Sequence, residues 1–276
     1  MPKVNTAFLS RAVERKRTEV ARLRAEHPEA DLRARAAGRP PARDWPAALR
    51  GGAPAVIAEF KRRSPSAGAL DPGADPAARA ALYEGAGAAA VSILTDSAFD
   101  GTLADLTAAA GAVGVPVLRK DFLVDPWQVW ESRAAGADAA LVVLAAVGDP
   151  DLGRILEASA AAGLGLLVEI HGLEEIPRVE RLGAAVVGVN ARDLGTLRTS
   201  PEGGRAVLEA VRGALDPTTL LVAESGIAGP DDVRRARAAG ADAVLVGEYL
   251  MRAGDPAAAL GALVGAAGPA GESRPT

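Results

Sequence analysis

One phrase recurs along this chain. It reads GAGAAAVSI from Gly85 to Ile93, GADAALVVL from Gly136 to Leu144, LGAAVVGVN from Leu182 to Asn190 and GADAVLVGE from Gly240 to Glu248. Each copy follows a stretch of helix-like composition. A glycine just past a helix, a short turn and then an unbroken aliphatic run is how a helix hands over to a strand covered on both faces. Looser copies run from Ala112 to Lys120 (AVGVPVLRK) and from Ala161 to Glu169 (AAGLGLLVE), and the apolar runs Ala55 to Phe60 and Leu220 to Glu224 bring the number of strands to eight.

Helical stretches are expected between the strands: Pro76 to Tyr83, Leu103 to Ala110, Pro126 to Ala135, Asp151 to Ala162, Leu173 to Leu182, Gly203 to Gly213, Asp231 to Ala239 and Pro256 to Val264. Several open on Asp or Pro, the residues favoured in a first turn. Eight strand-then-helix units in 276 residues predict an α/β fold, a (β/α)8 TIM barrel. An open doubly wound sheet is the competing architecture, but no G-x-G-x-x-G follows the first strand. Residues 1–50 are expected to form an N-terminal helical extension with its linker, 51–266 the catalytic barrel and 267–276 a disordered tail. In the extension, Phe8, Leu9, Val13, Val20 and Leu23 recur at helical spacing between Thr6 and Ala25, and Pro40, Pro41 and Pro46 punctuate the linker. That helix is expected over one barrel end, with Trp45 packing near the entrance.

Composition excludes several function classes. A net charge of −4, with both signs spread along the chain, offers no basic face for nucleic acid and no polybasic run for a membrane. With no cysteine and only His27 and His171, there is no thiol nucleophile, thiolate metal site or multi-histidine centre, so no metal is expected. No apolar run approaches about 18 residues and no secretory h-region opens the chain. Glu14, Glu19 and Glu26 argue against a transit peptide, leaving a cytoplasmic location as the expectation. Nothing in the sequence sets the oligomeric state; a monomer is the simpler expectation.

The strand ends carry the candidate chemistry, because barrel enzymes build their sites there. Arginine is the default cation: lysine supplies only Lys3, Lys16, Lys61 and Lys120 of 31 basic residues, and two of these stand just past apolar runs. Guanidinium does not give up a proton in water, whereas an ammonium can be tuned to do so, which marks Lys61 and Lys120 as candidate acids. Glu59 and Lys61, two apart on a strand, should face the same way into the barrel mouth. Strand 5 ends in Glu169, strand 6 in Asn190 with Arg192 following, strand 7 in Glu224, Ser225 and Gly226, and strand 8 in Gly247 and Glu248. An ion-pair lattice plugging the barrel top is the purely structural alternative for these charges. His171 is expected to pack or hydrogen-bond rather than catalyse, since no nucleophile motif accompanies it. The glycines after strands 7 and 8 suit a phosphate site of backbone amides, although AESGI alone could be a tight turn.

Taken together, IAEFKRRSPSAG (57–68), PVLRKDF (116–122), LVEIH (167–171), GVNARDL (188–194), AESGI (223–227) and LVGEYLM (245–251) resemble the indole-3-glycerol phosphate synthases, in order and at every strand. The resemblance implies a lyase that closes 1-(2-carboxyphenylamino)-1-deoxyribulose 5-phosphate to indole-3-glycerol phosphate, losing carbon dioxide and water, in tryptophan biosynthesis. No cofactor is implied, and the only partner is the small phosphorylated substrate. It gives Lys120 the role of acid toward the ketone, with Lys61 as second cation and alternative donor, the two ammoniums lowering each other's pKa. Glu169 becomes the favoured base, Glu59 a group that orients Lys61 or shares proton traffic, and Asn190 a holder of substrate hydroxyl or of Glu169. Arg192 would receive the carboxylate that is lost. Ser225, with the amides of Gly226, Gly247 and Glu248 and with Ser64 nearby, would clasp phosphate, and Phe99, Phe122 and Trp127 would form an apolar slot for the ring.

The pattern departs at Ala191, where many members carry Asn, at Glu248, where some carry Ser, and at Trp127, more usually Tyr. The related phosphoribosylanthranilate isomerases typically use a cysteine, which this chain lacks. The alternatives left open are the same reaction in specialised metabolism and an inactive barrel kept as a scaffold.

Overall fold

A computed structural model of the chain describes residues 7–51, 54–64, 68–193 and 198–268. Eight parallel strands pair in sequence order: β1 (Ala55–Phe60), β2 (Ala90–Leu94), β3 (Val117–Lys120), β4 (Ala139–Val143), β5 (Gly165–Ile170), β6 (Val186–Asn190), β7 (Leu220–Glu224) and β8 (Ala243–Val246). β8 pairs with β1 and closes the (β/α)8 barrel. The helices are α1 (Ala7–Glu26), α2 (Glu29–Ala37) and α3 (Trp45–Ala48) before the barrel. Around it run α4 (Pro76–Gly85), α5 (Leu103–Ala112), α6 (Trp127–Ala135), α7 (Asp149–Ala162), α8 (Ile176–Leu182), α9 (Pro201–Ala214) and α10 (Pro230–Ala238), then the short α11 (Glu248–Arg252) and α12 (Pro256–Ala267).

The recurring phrase has a physical reading. Gly87, Gly136, Gly183 and Gly240, one in each copy, adopt φ of 95°, 101°, 58° and 96°, the left-handed region that ends a helix at little cost only for glycine. Strands preceded by such a phrase therefore begin three to five residues into it. In the two GAD copies the aspartate staples the next strand to its neighbour: Val117 N donates to Asp138 Oδ2 at 2.8 Å and Leu221 N to Asp242 Oδ2 at 2.8 Å. Strand-end amides at the barrel floor are thereby paired.

The N-terminal extension holds both ends of the barrel. α1 is the expected helix, Thr6 lying outside the described residues, and it crosses the C-terminal ends of the strands. The stretch read as linker contains α2, a helix that was not expected because it alternates charge with alanine and buries only Leu32 and Ala36. α2 packs on α6, with the Arg33 guanidinium 4.0 Å from the Trp130 ring centroid. Trp45 is not near the entrance. It lies fully buried at the opposite end, against Gly165 at the start of β5, where any Cβ would come within 3.1 Å of Trp45 Cδ1. Arg43 N, just before it, donates to Asp138 Oδ1 at 2.9 Å, because the chain must pass under the floor to enter β1. Of the tail expected from 267, Ala267 ends α12 and Gly268 follows it, while 269–276 lie outside the described residues.

Trp45→Ala should lower stability by about 3–5 kcal/mol, the range for truncating a buried indole. Urea denaturation checks this, and kinetics at the far end of the barrel should be unaffected in the folded fraction.

Candidate active site

The strands' C-terminal ends open into a cleft of about 830 Å³. Its floor is a layer of charge. Glu59, Lys120, Glu169 and Glu224 come from β1, β3, β5 and β7, and alternate strands of such a barrel contribute one layer of inward side chains. Lys120 Nζ donates to Glu224 Oε2 at 2.7 Å and to Glu169 Oε2 at 3.0 Å. Lys61 Nζ donates to Glu59 Oε1 at 2.5 Å, the same-face pairing expected two residues apart. The even strands supply room. A Cβ at Gly188 of β6 would stand 2.0 Å from Glu224 Oε1, and one at Gly247 after β8 would stand 2.2 Å from Glu59 Oε1. Both positions need glycine for close approach rather than for backbone freedom.

Lys120 does not have its pKa lowered by Lys61, as two converging ammoniums would require. Burial acts to lower it, but the charges of Glu169, Glu224 and Glu59 outweigh burial and raise the pKa above the ordinary lysine value. The two carboxylates beside it are pushed apart. Glu169 is buried, which would raise it, yet Lys120 and His171 hold it well below the carboxylate range. Burial, with the neighbouring Glu169 charge, lifts Glu224 to about 8 against the pull of Lys120. One carboxylate stays ionised while its neighbour holds a proton near neutrality. His171 Nε2 stands 3.1 Å from Glu169 Oε1, an ion-pair distance without good hydrogen-bond alignment, and its Nδ1 has no hydrogen-bond partner among the described residues.

Around this floor, the cleft wall includes Ser64, Phe99, Phe122, Asn190, Arg192, Ser225, Gly226, Gly247 and Glu248. Asn190 Oδ1 accepts from Arg192 N at 3.0 Å, so it braces the Arg192 turn. Ser225 and Gly226 hold φ of 62° and 78°, and Ser225 is thus a non-glycine residue kept in the left-handed region at the cleft. Glu248 Oε1 accepts from Arg252 Nε at 3.2 Å, which turns the carboxylate along α11. Trp127 is absent from the wall. It is buried under the extension, its Nε1 donating to His27 O at 3.0 Å.

The chain matches the family model described as indole-3-glycerol phosphate synthase over residues 9–263. It belongs to the indole-3-glycerol phosphate synthase family. It is 46% identical over 261 residues to the indole-3-glycerol phosphate synthase of Streptomyces griseus subsp. griseus, covering 94% of this chain and 96% of that one. With the enzyme of the same name from Parafrankia sp. it shares 48% over 241 residues, 87% of this chain and 88% of the other. Among solved structures, a thiamine phosphate pyrophosphorylase from Pyrococcus furiosus superposes with TM-score 0.57 at 20% identity, over 79% of this chain and 97% of that chain. A 4-hydroxy-2-oxoglutarate aldolase gives 0.61 at 19% identity, over 82% and 99%. At such identities the two structures show the barrel alone.

At Ala191 the end of β6 passes close to α9: a Cβ at Gly204 would approach Ala191 Cβ to 2.5 Å, so position 204 needs glycine for close approach. Glu224 and Phe8 are among the cleft residues that carried no role in the sequence reading. Glu224 was visible as a strand end, and its position on an odd strand was the signal; Phe8 of α1 reaches the cleft from far away in sequence with no signal at all.

Because folded Glu224 holds its proton from its ordinary value near 4.5 up to about 8, the folded state binds more protons than the unfolded across that window, and stability falls as pH rises through it. Glu175 and His171, also raised, act in the same direction and are left in place. Glu224→Gln should therefore flatten, without abolishing, the fall in urea midpoint between pH 5 and 8; an unchanged slope would show Glu224 ionised throughout.

Proposed function

We propose that the protein cyclises 1-(2-carboxyphenylamino)-1-deoxyribulose 5-phosphate to indole-3-glycerol phosphate, releasing carbon dioxide and water, as a carboxy-lyase of tryptophan biosynthesis. The observation that carries this reading is the Lys120 ammonium at the cleft floor, held between one carboxylate kept ionised and one kept protonated. The aryl carbon bearing the carboxylate attacks the ketone carbon, and the ketone oxygen takes a proton as its charge develops. Lys120 supplies that proton. Its raised pKa keeps it protonated at rest, and a forming alkoxide is a far stronger base than an amine. Loss of carbon dioxide then returns the electron pair to the ring. In the dehydration, Glu169 accepts the proton released from the nitrogen-bearing side, and Glu224 protonates the departing hydroxyl. The Lys61 and Glu59 pair stands beside Gly247 and supplies a second cation to the same cleft.

Arg192 receives the substrate carboxylate with its planar fork. Ser225 and the amides of Gly226, Gly247 and Glu248 take the phosphate with Ser64 beside them, while Phe99 and Phe122 sandwich the aromatic ring. The layer formed by Glu59, Lys120, Glu169 and Glu224 gives an inactive scaffold no support. Among the described residues no helix is long and apolar enough to cross a membrane, and no group of three or more His, Cys, Asp or Glu could hold a metal ion. Leu82 and Leu173 are the large hydrophobics exposed among them, which supports a monomer, and a doubly ionised phosphate on the substrate, unable to cross a membrane unaided, fits a cytoplasmic setting.

Adding the deoxyribulose phosphate to purified protein should produce indole fluorescence; a well-folded protein that forms no product would sink this reading. Lys120→Arg keeps the charge but removes the transferable proton, and kcat should fall by several orders of magnitude with little change in KM. Arg192→Lys should mainly raise KM, by about tenfold for a lost bidentate pair. Steady-state kinetics separates the two, and an unaltered KM would remove Arg192 from the carboxylate site.

A further inference from the structure

Lys16 lies on α1, outside the barrel, and nothing in its sequence position ties it to the site. It is nevertheless 1% exposed. Its Nζ stands 2.9 Å from Asp121 Oδ1, 3.1 Å from Asp96 Oδ2 and 2.9 Å from Glu19 Oε2. Asp121 and Asp96 both border the cleft. Each also holds one of its aromatic walls. Asp121 directly follows Lys120, and its Oδ1 accepts from Phe122 N at 2.8 Å, while its Oδ2 accepts from Thr95 Oγ1 at 2.7 Å and Arg119 Nη2 at 3.0 Å. Asp96 caps the turn Ser97–Phe99, its Oδ1 accepting from Ala98 N at 2.9 Å and from Arg15 Nη2 at 2.6 Å.

Asp96 Oδ2 has no aligned hydrogen-bond donor among the described residues, and the cation at that oxygen is Lys16, which shares with Arg15 the compensation of the Asp96 charge. A buried carboxylate without a counter-charge is costly, and removing one member of such a cluster leaves the others uncompensated. Burial lowers the pKa of Lys16, but Asp121 and Asp96 outweigh it and raise the pKa, which keeps the ammonium charged. Asp121, raised by burial but held down by Arg119 and Lys16, sits at about 2. Phe8, two helical turns before Lys16 on α1, also lines the cleft.

We propose that Lys16 is a positioning residue: one ammonium on the N-terminal helix joins the Asp96 turn to the Asp121 turn, and so sets the spacing of Phe99 and Phe122 in the slot that receives the aryl half of the substrate. The kinetic part of this inference rests on the cyclisation reading. Lys16 does not touch the reacting groups, and its removal acts on binding of the ring more than on the proton transfers at Lys120.

The test is Lys16→Met, which keeps the length and removes the charge, compared with Lys16→Arg by steady-state kinetics and by amide hydrogen exchange. KM should rise about tenfold or more in Lys16→Met with kcat within about threefold, and Lys16→Arg should recover most of the loss. Exchange at Phe122 N and Ala98 N should quicken while the barrel strands stay protected. If Lys16→Met does not fold, Lys16→Met/Asp96→Asn removes one charge of each sign and should fold with KM still raised. Unchanged KM in a folded variant, or equal losses in kcat and kcat/KM, would overturn the proposal. If the unaltered protein shows no turnover, the cyclisation reading falls, and the exchange rates alone decide: unchanged exchange at both amides overturns the role of Lys16, and faster exchange supports it.

Discussion

Everything at the mouth of this barrel follows from burying the Lys120 ammonium. An isolated charge cannot be taken out of water at an acceptable cost, so it must be met by opposite charge at hydrogen-bond distance. Glu169 and Glu224 meet it, at 3.0 and 2.7 Å. Two carboxylates around one cation are then one negative charge too many, and the excess is relieved by a proton on Glu224. The same arrangement that makes the lysine tolerable thus sorts its neighbours into an ionised group and a protonated one. It also dictates where the wall must be empty: Gly188 leaves space for Glu224, and Gly247 for the Glu59 and Lys61 pair.

A second cluster, built on the same principle, surrounds Arg119 and Asp121. Arg119 sits next to Lys120 in β3 but faces outward, where Glu131 of α6 accepts from Nη1 at 2.7 Å and Asp121 accepts from Nη2 at 3.0 Å. Strand alternation therefore places one cation of the Arg-Lys pair in the cleft and the other in the helix layer. Asp121 connects this layer to Lys16 of the extension. The N-terminal helix is consequently coupled to the catalytic floor through charge rather than through apolar packing alone, and Trp45 fixes the same segment at the other end of the barrel.

Much of this was legible residue by residue. The GAD and GAG phrases marked the helix ends, because only glycine takes a positive φ there without strain, and the apolar runs after them marked the strands. Strand ends pointed to Glu59, Lys61, Lys120 and Glu169, since a period of two and the location of barrel sites need no coordinates. Helix α2 was not legible, because its burial rests on Leu32 and Ala36 within a run of charges, and only α6 beneath it makes it amphipathic. Trp45 and Trp127 were misplaced for a related reason. An indole's neighbours depend on which barrel end or helix layer the chain crosses, and the local sequence does not encode that. The pKa of Lys120 was not legible, because the sequence shows two lysines at strand ends but not the distances from either to the three carboxylates.

By itself the sequence determined the period of the strands and helices, the polarity of the strand ends and the motifs of a synthase family, all of which depend on residues close together in the chain. Closure of the barrel decided the rest. Bringing β1, β3, β5 and β7 around one axis placed four ionisable groups in one layer, raised the pKa of Glu224 while lowering that of Glu169, and turned Lys16 from a surface-helix residue into a buried counter-charge. Electrostatic roles fall off with distance and grow with burial, and both are properties of the folded chain.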